Sequence, residues 1–312
     1  MGSLHFEEHD IIEQTDTHTL YSIGRTDAHG KADAYHILDG VDVVLLSFYA
    51  QQYNPTVHKS DSIVEINHCL SGRAEFTMQD GCLQYIGEDD LFMSTLANHS
   101  DSIGFPLCEY EGMVVVIDMQ KAQLHIDALM LGMSIDLKAL FNKYFNNDAC
   151  FWIGAKDTVR RIFTDMYTIP LEARILYYKL KIQELLLYLY YFDQEGERQE
   201  NIFAHHQAEL IKLIHSKITG NLDKRHTIDE LAAEFHISPT TLKTNFKGVF
   251  GMPIAAYMKK YRLDRAAELL NTTTKSIAEI ADAVGYESQS KFGAAFKHAR
   301  GVSPTKYRDK VK

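Results

Sequence analysis

Short apolar runs separated by turn residues fill the first third of the chain. Three of these runs are rich in Val, Ile and Leu, which favours buried β-strands. They lie at 41–50, 62–70 and 113–119. Between the second and third runs, Asp80-Gly81 is a dipeptide typical of a tight hairpin turn. Many short strands joined by turns predict a closed β-barrel or jelly roll, which we place at about residues 20–120.

After residue 120 the apolar positions recur with helical spacing. Helices are predicted at 129–145, 156–167 and 173–192. A polar stretch containing Gly196 follows and is interpreted as a linker at 193–204. We therefore predict an α+β chain, with a first domain at 1–192 and an all-α domain at 205–312.

The all-α domain contains an internal repeat. Residues 227–257 and 276–307 align when one residue is inserted into the second copy, and a fixed period of this kind indicates a duplicated structural unit. Seven aligned positions are identical. They are Ile228/Ile277, Glu230/Glu279, Ala232/Ala281, Phe246/Phe296, Lys247/Lys297, Gly251/Gly301 and Tyr257/Tyr307.

Both copies begin with the same helix-start pattern. Thr227 with Glu230, and Ser276 with Glu279, have the spacing of a capping box. A short helix, a turn and a second helix follow in each copy, and Gly285 can adopt the positive φ that ends a helix. This order predicts two helix-turn-helix units.

A predicted helix at 254–270 connects the two units. At 1.5 Å per residue it would span roughly 25 Å, which suits two recognition helices in successive major grooves of DNA about 34 Å apart. A helical repeat used for protein contact is the alternative interpretation.

The charge distribution separates the two domains. The net charge of −10 argues against nucleic-acid binding by the chain as a whole. Residues 203–312, however, hold 18 Lys and Arg against 11 Asp and Glu, a net charge of +7, whereas residues 1–202 carry −17. This asymmetry indicates that an anion-binding module is joined to an acidic domain of another kind.

Residues 205–310 resemble the DNA-binding domain of AraC/XylS-family transcription regulators. The resemblance is carried by an A-x-x-F-x-[IY]-S pattern at the first turn and by several segments of the second copy. These segments are Ile277-Ala278-Glu279-Ile280-Ala281, Val284-Gly285-Tyr286, Phe296-Lys297, Gly301-Val302-Ser303-Pro304 and Tyr307-Arg308. It implies that both units bind double-stranded promoter DNA and that the companion domain senses a signal or dimerises.

The resemblance also implies roles for outward residues of the two recognition helices, predicted at 239–249 and 288–298. The expected base contacts are Thr240, Lys243, Thr244, Gln289 and Ser290. The expected phosphate contacts are Lys247, Lys297, Lys306 and Arg308. Gly293 and Ala294 cannot form hydrogen bonds through their side chains, so we expect base discrimination to be concentrated in the first recognition helix.

The first domain resembles the cupin-like barrel of the same family. A barrel of this size can hold one small molecule, so an effector site is expected there. Its candidate lining residues are Phe48, Tyr49, His68, Tyr85, Phe92 and Phe105. Membership of the core is the alternative interpretation of each, and the barrel could instead serve only for dimerisation.

A metal-dependent cupin enzyme fused to a DNA-binding module is a further alternative. Such a site needs convergent His and carboxylate ligands, for which the loose candidates are His58, Glu65, His68 and His99. The paired His-x-His pattern of a cupin strand is absent from the sequence, and the four cysteines show no metal-ligand spacing. We therefore expect no enzymatic activity, no metal and no cofactor.

The remaining expectations concern assembly and location. The predicted helix at 173–192 carries an apolar stripe, and the resemblance implies that it mediates a homodimer. The stripe contains Leu176, Leu180, Leu187 and Tyr191. No apolar run approaches the roughly 18 residues that a membrane span needs, so we expect a cytoplasmic protein. For a transcription regulator, RNA polymerase is expected as a further partner.

Overall fold

The computed structural model describes residues 10–25, 28–56, 59–77, 83–100, 102–145, 150–194 and 209–309. The chain divides into two compact units, Met1–His205 and His206–Lys312. Most of the predicted linker at 193–204, and the Asp80-Gly81 turn, lie outside the described residues.

Unit 1 is built mostly from β-strands. They are β1 (Ile11–Gln14), β2 (His18–Arg25), β3 (Ala28–Leu38), β4 (Val41–Ala50), β5 (Gln52–Tyr53), β6 (Ile63–Gly72), β7 (Ala74–Thr77), β8 (Leu83–Ile86), β9 (Leu91–Thr95), β10 (Ile103–Gly104), β11 (Tyr110–Asp118) and β12 (Cys150–Ile153).

The strands form two antiparallel sheets. The large sheet has the order β1-β2-β3-β4-β11-β6-β9-β12, and the small sheet has the order β5-β10-β7-β8. The predicted β-domain at 20–120 is confirmed as a mostly β, barrel-like arrangement. Within the described residues neither sheet pairs its two edges, so a closed barrel is not found there. The large sheet ends at β12, where the Tyr144 ring packs 5.0 Å from the Phe151 ring.

The large sheet is buried on both faces because its central strands are apolar at odd and even positions. In β11, Val114 and Val116 belong to a core shared with the small sheet, which includes Phe76 and Ile86. Met113 and Val115 belong to a second core, beneath the helices of unit 1. Unit 1 therefore has three layers, in the order small sheet, large sheet and helices.

The helices of unit 1 are α1 (Met119–Leu129), α2 (Leu137–Phe145), α3 (Asp157–Thr168) and α4 (Arg174–Tyr191). The prediction of one helix at 129–145 was wrong. Leu131 and Gly132 have φ values of 54° and 86°, which no right-handed helix accommodates, so the chain turns there between α1 and α2.

Unit 2 is entirely helical within the described residues. Its helices are α5 (209–220), α6 (Ile228–Glu234), α7 (Pro239–Phe250), α8 (Ile254–Thr272), α9 (Ile277–Ala283), α10 (Gln289–Arg300) and α11 (Pro304–Asp309). α6 with α7, and α9 with α10, are the two helix-turn-helix units, and α8 connects them. The core of the second helix-turn-helix, formed by α9 and α10, includes Phe292 and Phe296 packed with Ile280 and Leu263.

Local hydrogen bonds explain where the repeated helices start and stop. Both predicted capping boxes are present: Thr227 Oγ1 accepts from Glu230 N at 3.2 Å, and Ser276 Oγ accepts from Glu279 N at 3.2 Å. The reciprocal backbone bonds lower the pKa of both glutamates. α7 and α10 each end at a glycine with φ of 74°. The two helix-turn-helix units therefore begin with the same kind of capping box and end at a glycine with positive φ.

Candidate nucleic-acid interface

The first recognition helix, α7, is fixed by its buried face. Ser238 caps its N-terminus, with Oγ accepting from Thr241 N at 3.0 Å, and Leu242 and Phe246 are fully buried. The predicted base-contacting residues, Thr240, Lys243 and Thr244, consequently lie on the exposed face of the helix.

The second recognition helix, α10, repeats this arrangement. Ser288 caps it, with Oγ accepting from Lys291 N at 3.3 Å, and Phe292 and Phe296 are buried. Gln289 and Ser290, the two predicted base contacts, are exposed in its first turn.

The two capping serines show which positions of the recognition helices are equivalent. Counting from Ser238 and Ser288, Lys243 is equivalent to Gly293 and Thr244 to Ala294. The shared capping serine is an eighth identity, which the sequence alignment missed. The first helix-turn-helix unit thus presents the long cationic side chain of Lys243 and the hydroxyl group of Thr244. At the equivalent positions the second presents no side chain and a methyl group.

The fold of unit 2 does not require glycine at position 293. A Cβ atom built there would meet no atom within 4 Å. Glycine inside a helix costs about 1 kcal/mol relative to alanine. The packing of unit 2 therefore does not account for this glycine, which lies on the same helix face as Gln289.

The predicted phosphate contacts fall into two groups. Lys247, Lys297 and Lys306 are exposed and form no ion pair with any residue in the described ranges. Arg308 is half-buried, and its Nη2 donates to the Lys275 carbonyl oxygen at 2.6 Å. The three lysines can therefore turn toward an anion, whereas Arg308 also anchors α11 to the loop before α9.

The two helix-turn-helix turns have the same backbone path. In the first, Ile237 N donates to Ala232 O at 3.0 Å. In the second, Tyr286 N donates to Ala281 O at 2.9 Å. These bonds close the C-termini of α6 and α9 and direct the recognition helices away from them.

A basic groove lies between the two helix-turn-helix units, and sequence reasoning did not identify it. Its volume is about 510 Å³, and it runs between the start of α6, α8 and the α9–α10 turn. Its cationic lining residues are Lys224, Arg225, Lys259 and Arg262. Burial, and secondarily the neighbouring Arg225, lowers the pKa of Arg262.

Comparison with known proteins places these features in a family. The family profile "Helix-turn-helix domain" matches residues 231–310. The HTH-type transcriptional activator AarP of Providencia stuartii is 33% identical over 102 residues, which are 33% of this chain and 76% of AarP. The chain belongs to the AraC family of transcription regulators.

Other AraC-family relatives match a similar share of the chain. The HTH-type transcriptional regulator MtrA of Neisseria gonorrhoeae is 35% identical over 92 residues, 30% of this chain and 31% of MtrA. The DNA-binding domain of AdpA, solved in complex with a target DNA, is 25% identical, has a TM-score of 0.30 and corresponds to 33% of this chain and 89% of that one. The chain thus spans three quarters of AarP but under a third of MtrA.

Unit 1 of this AraC-family chain contains a small cavity between its two sheets. About 40 Å³ of it is accessible to a water molecule, which is room for a few waters. Phe48, Tyr53 and Phe105 are among its aromatic lining residues, and Glu65, Asn67 and His99 are its polar ones.

The structure separates the six predicted pocket residues. Phe48 and Phe105 line the cavity. Phe92 is buried behind it and stacks on Phe76 at 4.7 Å, and Tyr85 is half-buried in β8, outside the lining. Tyr49 is 60% exposed.

His68, the sixth, faces the helices, where its ring stacks on Phe163 at 4.3 Å and its Nδ1 lies 2.9 Å from Tyr167 Oη. Burial lowers the pKa of His68 to about 4. The imidazole is therefore neutral at physiological pH and serves the core between the large sheet and α3.

The loose metal-ligand candidates are also divided. Glu65 and His99 meet in the cavity, with Oε2 and Nε2 3.4 Å apart, whereas His68 lies on the opposite face of the large sheet. His58 lies outside the described residues. Among the side chains that the structure describes, no three His, Cys, Asp or Glu converge at a distance suited to a metal ion.

The α4 helix of this AraC-family regulator has one apolar face in solvent. Leu176 is 71% exposed, Leu180 61% and Tyr191 76%, and Leu187 is also exposed. The opposite face, including Tyr178 and Ile182, is fully buried. None of the helices in the described ranges has the length and apolar content needed to cross a membrane.

Proposed function

We propose that this AraC-family chain regulates transcription by binding promoter DNA through both helix-turn-helix units, under the control of a small molecule sensed by unit 1. The observation that carries this proposal is the duplicated recognition helix in a domain of charge +7. The helix is exposed on its outer face and is flanked by lysines that form no ion pair with a described residue. Exposed cations of this kind bind phosphates and position a helix for base contact.

The connecting helix supports simultaneous engagement of both units. α8 has 19 residues and therefore spans roughly 28 Å, close to the roughly 34 Å between successive major grooves on one face of DNA. Thr240, Lys243 and Thr244 would face bases in one groove and Gln289 and Ser290 those in the next. Lys247, Lys297, Lys306 and Arg308 would hold the register through phosphates.

The exposed α4 face supports a homodimer. Four large apolar side chains along one helix, backed by a buried opposite face, form a patch that soluble proteins usually cover. A second copy of the chain supplies the same surface, and two-fold dimers are the commonest arrangement of this kind. The effector would then act by changing how two DNA-binding units are spaced, in a cytoplasmic protein that has RNA polymerase as a further partner.

A second function, a ligand-independent regulator whose unit 1 only dimerises, is favoured by the small size of the inter-sheet cavity. A cavity of about 40 Å³ holds a drug-sized molecule only after the sheets move apart. We place a cupin-like sensor first because buried polar side chains line that cavity. A thermal-shift screen of the full chain against a broad metabolite panel separates the two functions.

The regulator proposal is tested by selecting binding sites for the full chain from random duplex DNA and mapping its sites in the genome. We expect an enriched sequence with two conserved half-sites about one helical turn apart. Uniform recovery of all sequences at low salt would contradict the proposal.

A further inference from the structure

The inter-sheet cavity of unit 1 contains a cluster of buried polar groups. The side chains of Glu65, Asn67 and His99 are 2%, 8% and 6% exposed. Glu65 and Asn67 alternate on β6 with Val64 and Ile66, so both point to the small sheet while the two aliphatic residues face the helices. Three polar side chains inside an apolar core are costly unless they have partners.

Asn67 has no such partner among the residues that the structure describes. Its side-chain amide forms no hydrogen bond to any residue within the described ranges, although it can donate two and accept two. A buried amide that faces a cavity without a partner binds either trapped water or a ligand.

Glu65 and His99 define the charge of the cluster. His99 Nδ1 donates to the Ser100 carbonyl oxygen at 2.7 Å, which leaves Nε2 facing Glu65 Oε2 at 3.4 Å. A positively charged ligand beside Glu65 would be attracted by its carboxylate, most strongly where water is excluded.

The remaining lining residues are aromatic or aliphatic, and no Lys or Arg is among them. The Phe48 ring lies 5.1 Å from that of Tyr53 and 5.2 Å from that of Phe105, whose ring lies 5.4 Å from that of Tyr110. Ring faces attract cations, particularly when water is excluded. An anionic effector would meet a carboxylate and no cationic lining residue. Lys59 lies nearby, but its Nζ donates to the His99 carbonyl oxygen at 2.8 Å, so the lining disfavours an anion.

From these contacts we infer that the cavity is the effector site of unit 1 and that its ligand is a small organic ammonium ion. The ammonium group donates to Glu65 and to the Asn67 carbonyl oxygen, and its carbon substituents contact the ring faces. Entry is through β5 and β10, which contribute Tyr53 and Ile103 to the lining and contain two residues each. Strands this short open at little cost. The inference rests on the sensor role proposed for unit 1.

Isothermal titration calorimetry of the full chain tests the inference with two sets of matched probes. The sets are benzylammonium, benzyl alcohol and benzoate, and ethylammonium, ethanol and acetate. Within at least one set we expect the ammonium to bind about tenfold or more tighter than the alcohol, and the carboxylate to bind most weakly. Equal or tighter binding of the alcohol or carboxylate in both sets, or no saturation by either ammonium, overturns the inference.

Two variants locate the site. Glu65→Gln keeps the shape, and its amide can donate to His99 Nε2, so the preference for ammonium over alcohol should disappear. Tyr49→Ala removes an aromatic side chain that lies outside the cavity, and its affinities should match those of the wild type. Near-ultraviolet circular dichroism reports whether unit 1 is folded, and the wild-type probe series decides the matter if Glu65→Gln does not fold.

Failure of this inference is distinguishable from failure of the regulator proposal. Sequence-selective DNA binding without ammonium binding would leave the DNA-binding function standing and reject the effector class. Ammonium binding without any selected DNA sequence would support the effector class and reject the DNA-binding function.

Discussion

His236 and Gly285 occupy the same position in the two helix-turn-helix turns, and both lie in the left-handed region, with φ of 55° and 76°. Their surroundings differ. A Cβ at Gly285 would stand 2.1 Å from the Leu222 carbonyl oxygen, whereas the first turn accommodates the side chain of His236 at its surface. The second turn therefore favours glycine for two reasons, its positive φ and the close carbonyl oxygen, whereas the first favours it for its positive φ alone.

Gly285→Ala should lower the free energy of unfolding of unit 2 by more than about 2 kcal/mol, because backbone strain and the clash with Leu222 add. His236→Gly should change it by no more than about 1 kcal/mol, since relief of strain is offset by the greater freedom of glycine in the unfolded chain. Scanning calorimetry of the full chain checks both values. Equal effects would show that the clash is absorbed by movement of Leu222.

Lys243→Ala should relax the sequence preference of DNA binding more than Ala294→Ser does. Lys243 can donate to guanine O6 and N7, whereas the equivalent position in α10 is Gly293 and its neighbour Ala294 offers only a methyl group. Selection from random duplexes measures the preference at each base pair for both variants. If Ala294→Ser has the larger effect, the two recognition helices do not contribute unequally in the way proposed.

Lys247→Ala and Lys297→Ala should weaken DNA binding without changing the preferred sequence. Each removes an exposed cation that has no partner in the described ranges, so each should reduce the slope of log K against log salt by about 0.9. Fluorescence anisotropy at several salt concentrations gives the slope. The control is Lys121→Ala in the acidic unit, where Lys121 lies 3.6 Å from Asp118 and no change is expected.

Unit 2 should lose stability on mild acidification because of His215. Its Nε2 lies 2.9 Å from Tyr257 Oη and its ring 4.6 Å from Phe250. Burial, and secondarily Lys212, lowers its pKa from 6.5 to about 4. The unfolded chain therefore binds the proton first, so this contribution is complete above pH 6.5 and decreases as the pH falls toward 4.

The loss should reach about 3 kcal/mol. His215→Gln should flatten the pH dependence in this window, although it also lowers stability overall. Far-ultraviolet circular dichroism follows the helices of both units, whereas the fluorescence of Trp152, the single tryptophan of the chain, reports on unit 1. A loss of helical signal without a change in this fluorescence is therefore assigned to unit 2. A variant that keeps the wild-type slope would exclude His215 as the cause.

Leu180→Glu should prevent self-association of the full chain. The substitution places a charge in the centre of the exposed α4 face, where a second copy would bury it without a partner. Sedimentation velocity at several concentrations should show a dimer for the wild type and a monomer for the variant. Tyr49→Ser, which removes an exposed apolar side chain elsewhere in unit 1, should behave as the wild type.

Unit 2 could be predicted closely from sequence because its determinants are local. Thr227 with Glu230, and Ser276 with Glu279, set helix starts by bonds across three residues. The predicted connecting helix at 254–270 agrees with α8. By contrast, the break at Leu131 and Gly132 was missed because the apolar periodicity continues through it.

The arrangement of unit 1 depends on pairings between distant strands, which a single sequence does not reveal. Val114 pairs with Val44 on one side and Asn67 on the other, at separations that no local pattern encodes. The polar face of β6 is visible in the sequence, because Glu65 and Asn67 alternate with Val64 and Ile66 inside an apolar strand. That alternation places both polar residues on one face, but it does not show that His99 joins them.

The duplication of the capping boxes, the terminal glycines and the buried phenylalanines has an evolutionary consequence. Because each half keeps its scaffold through residues that face inward, the outward positions of one half can mutate while the other half continues to hold the promoter. Gly293 and Ala294 mark the half whose outward positions carry little side-chain chemistry. A lineage of this protein could therefore acquire new target genes gradually, through changes in α10, without passing through a form that has lost the old ones.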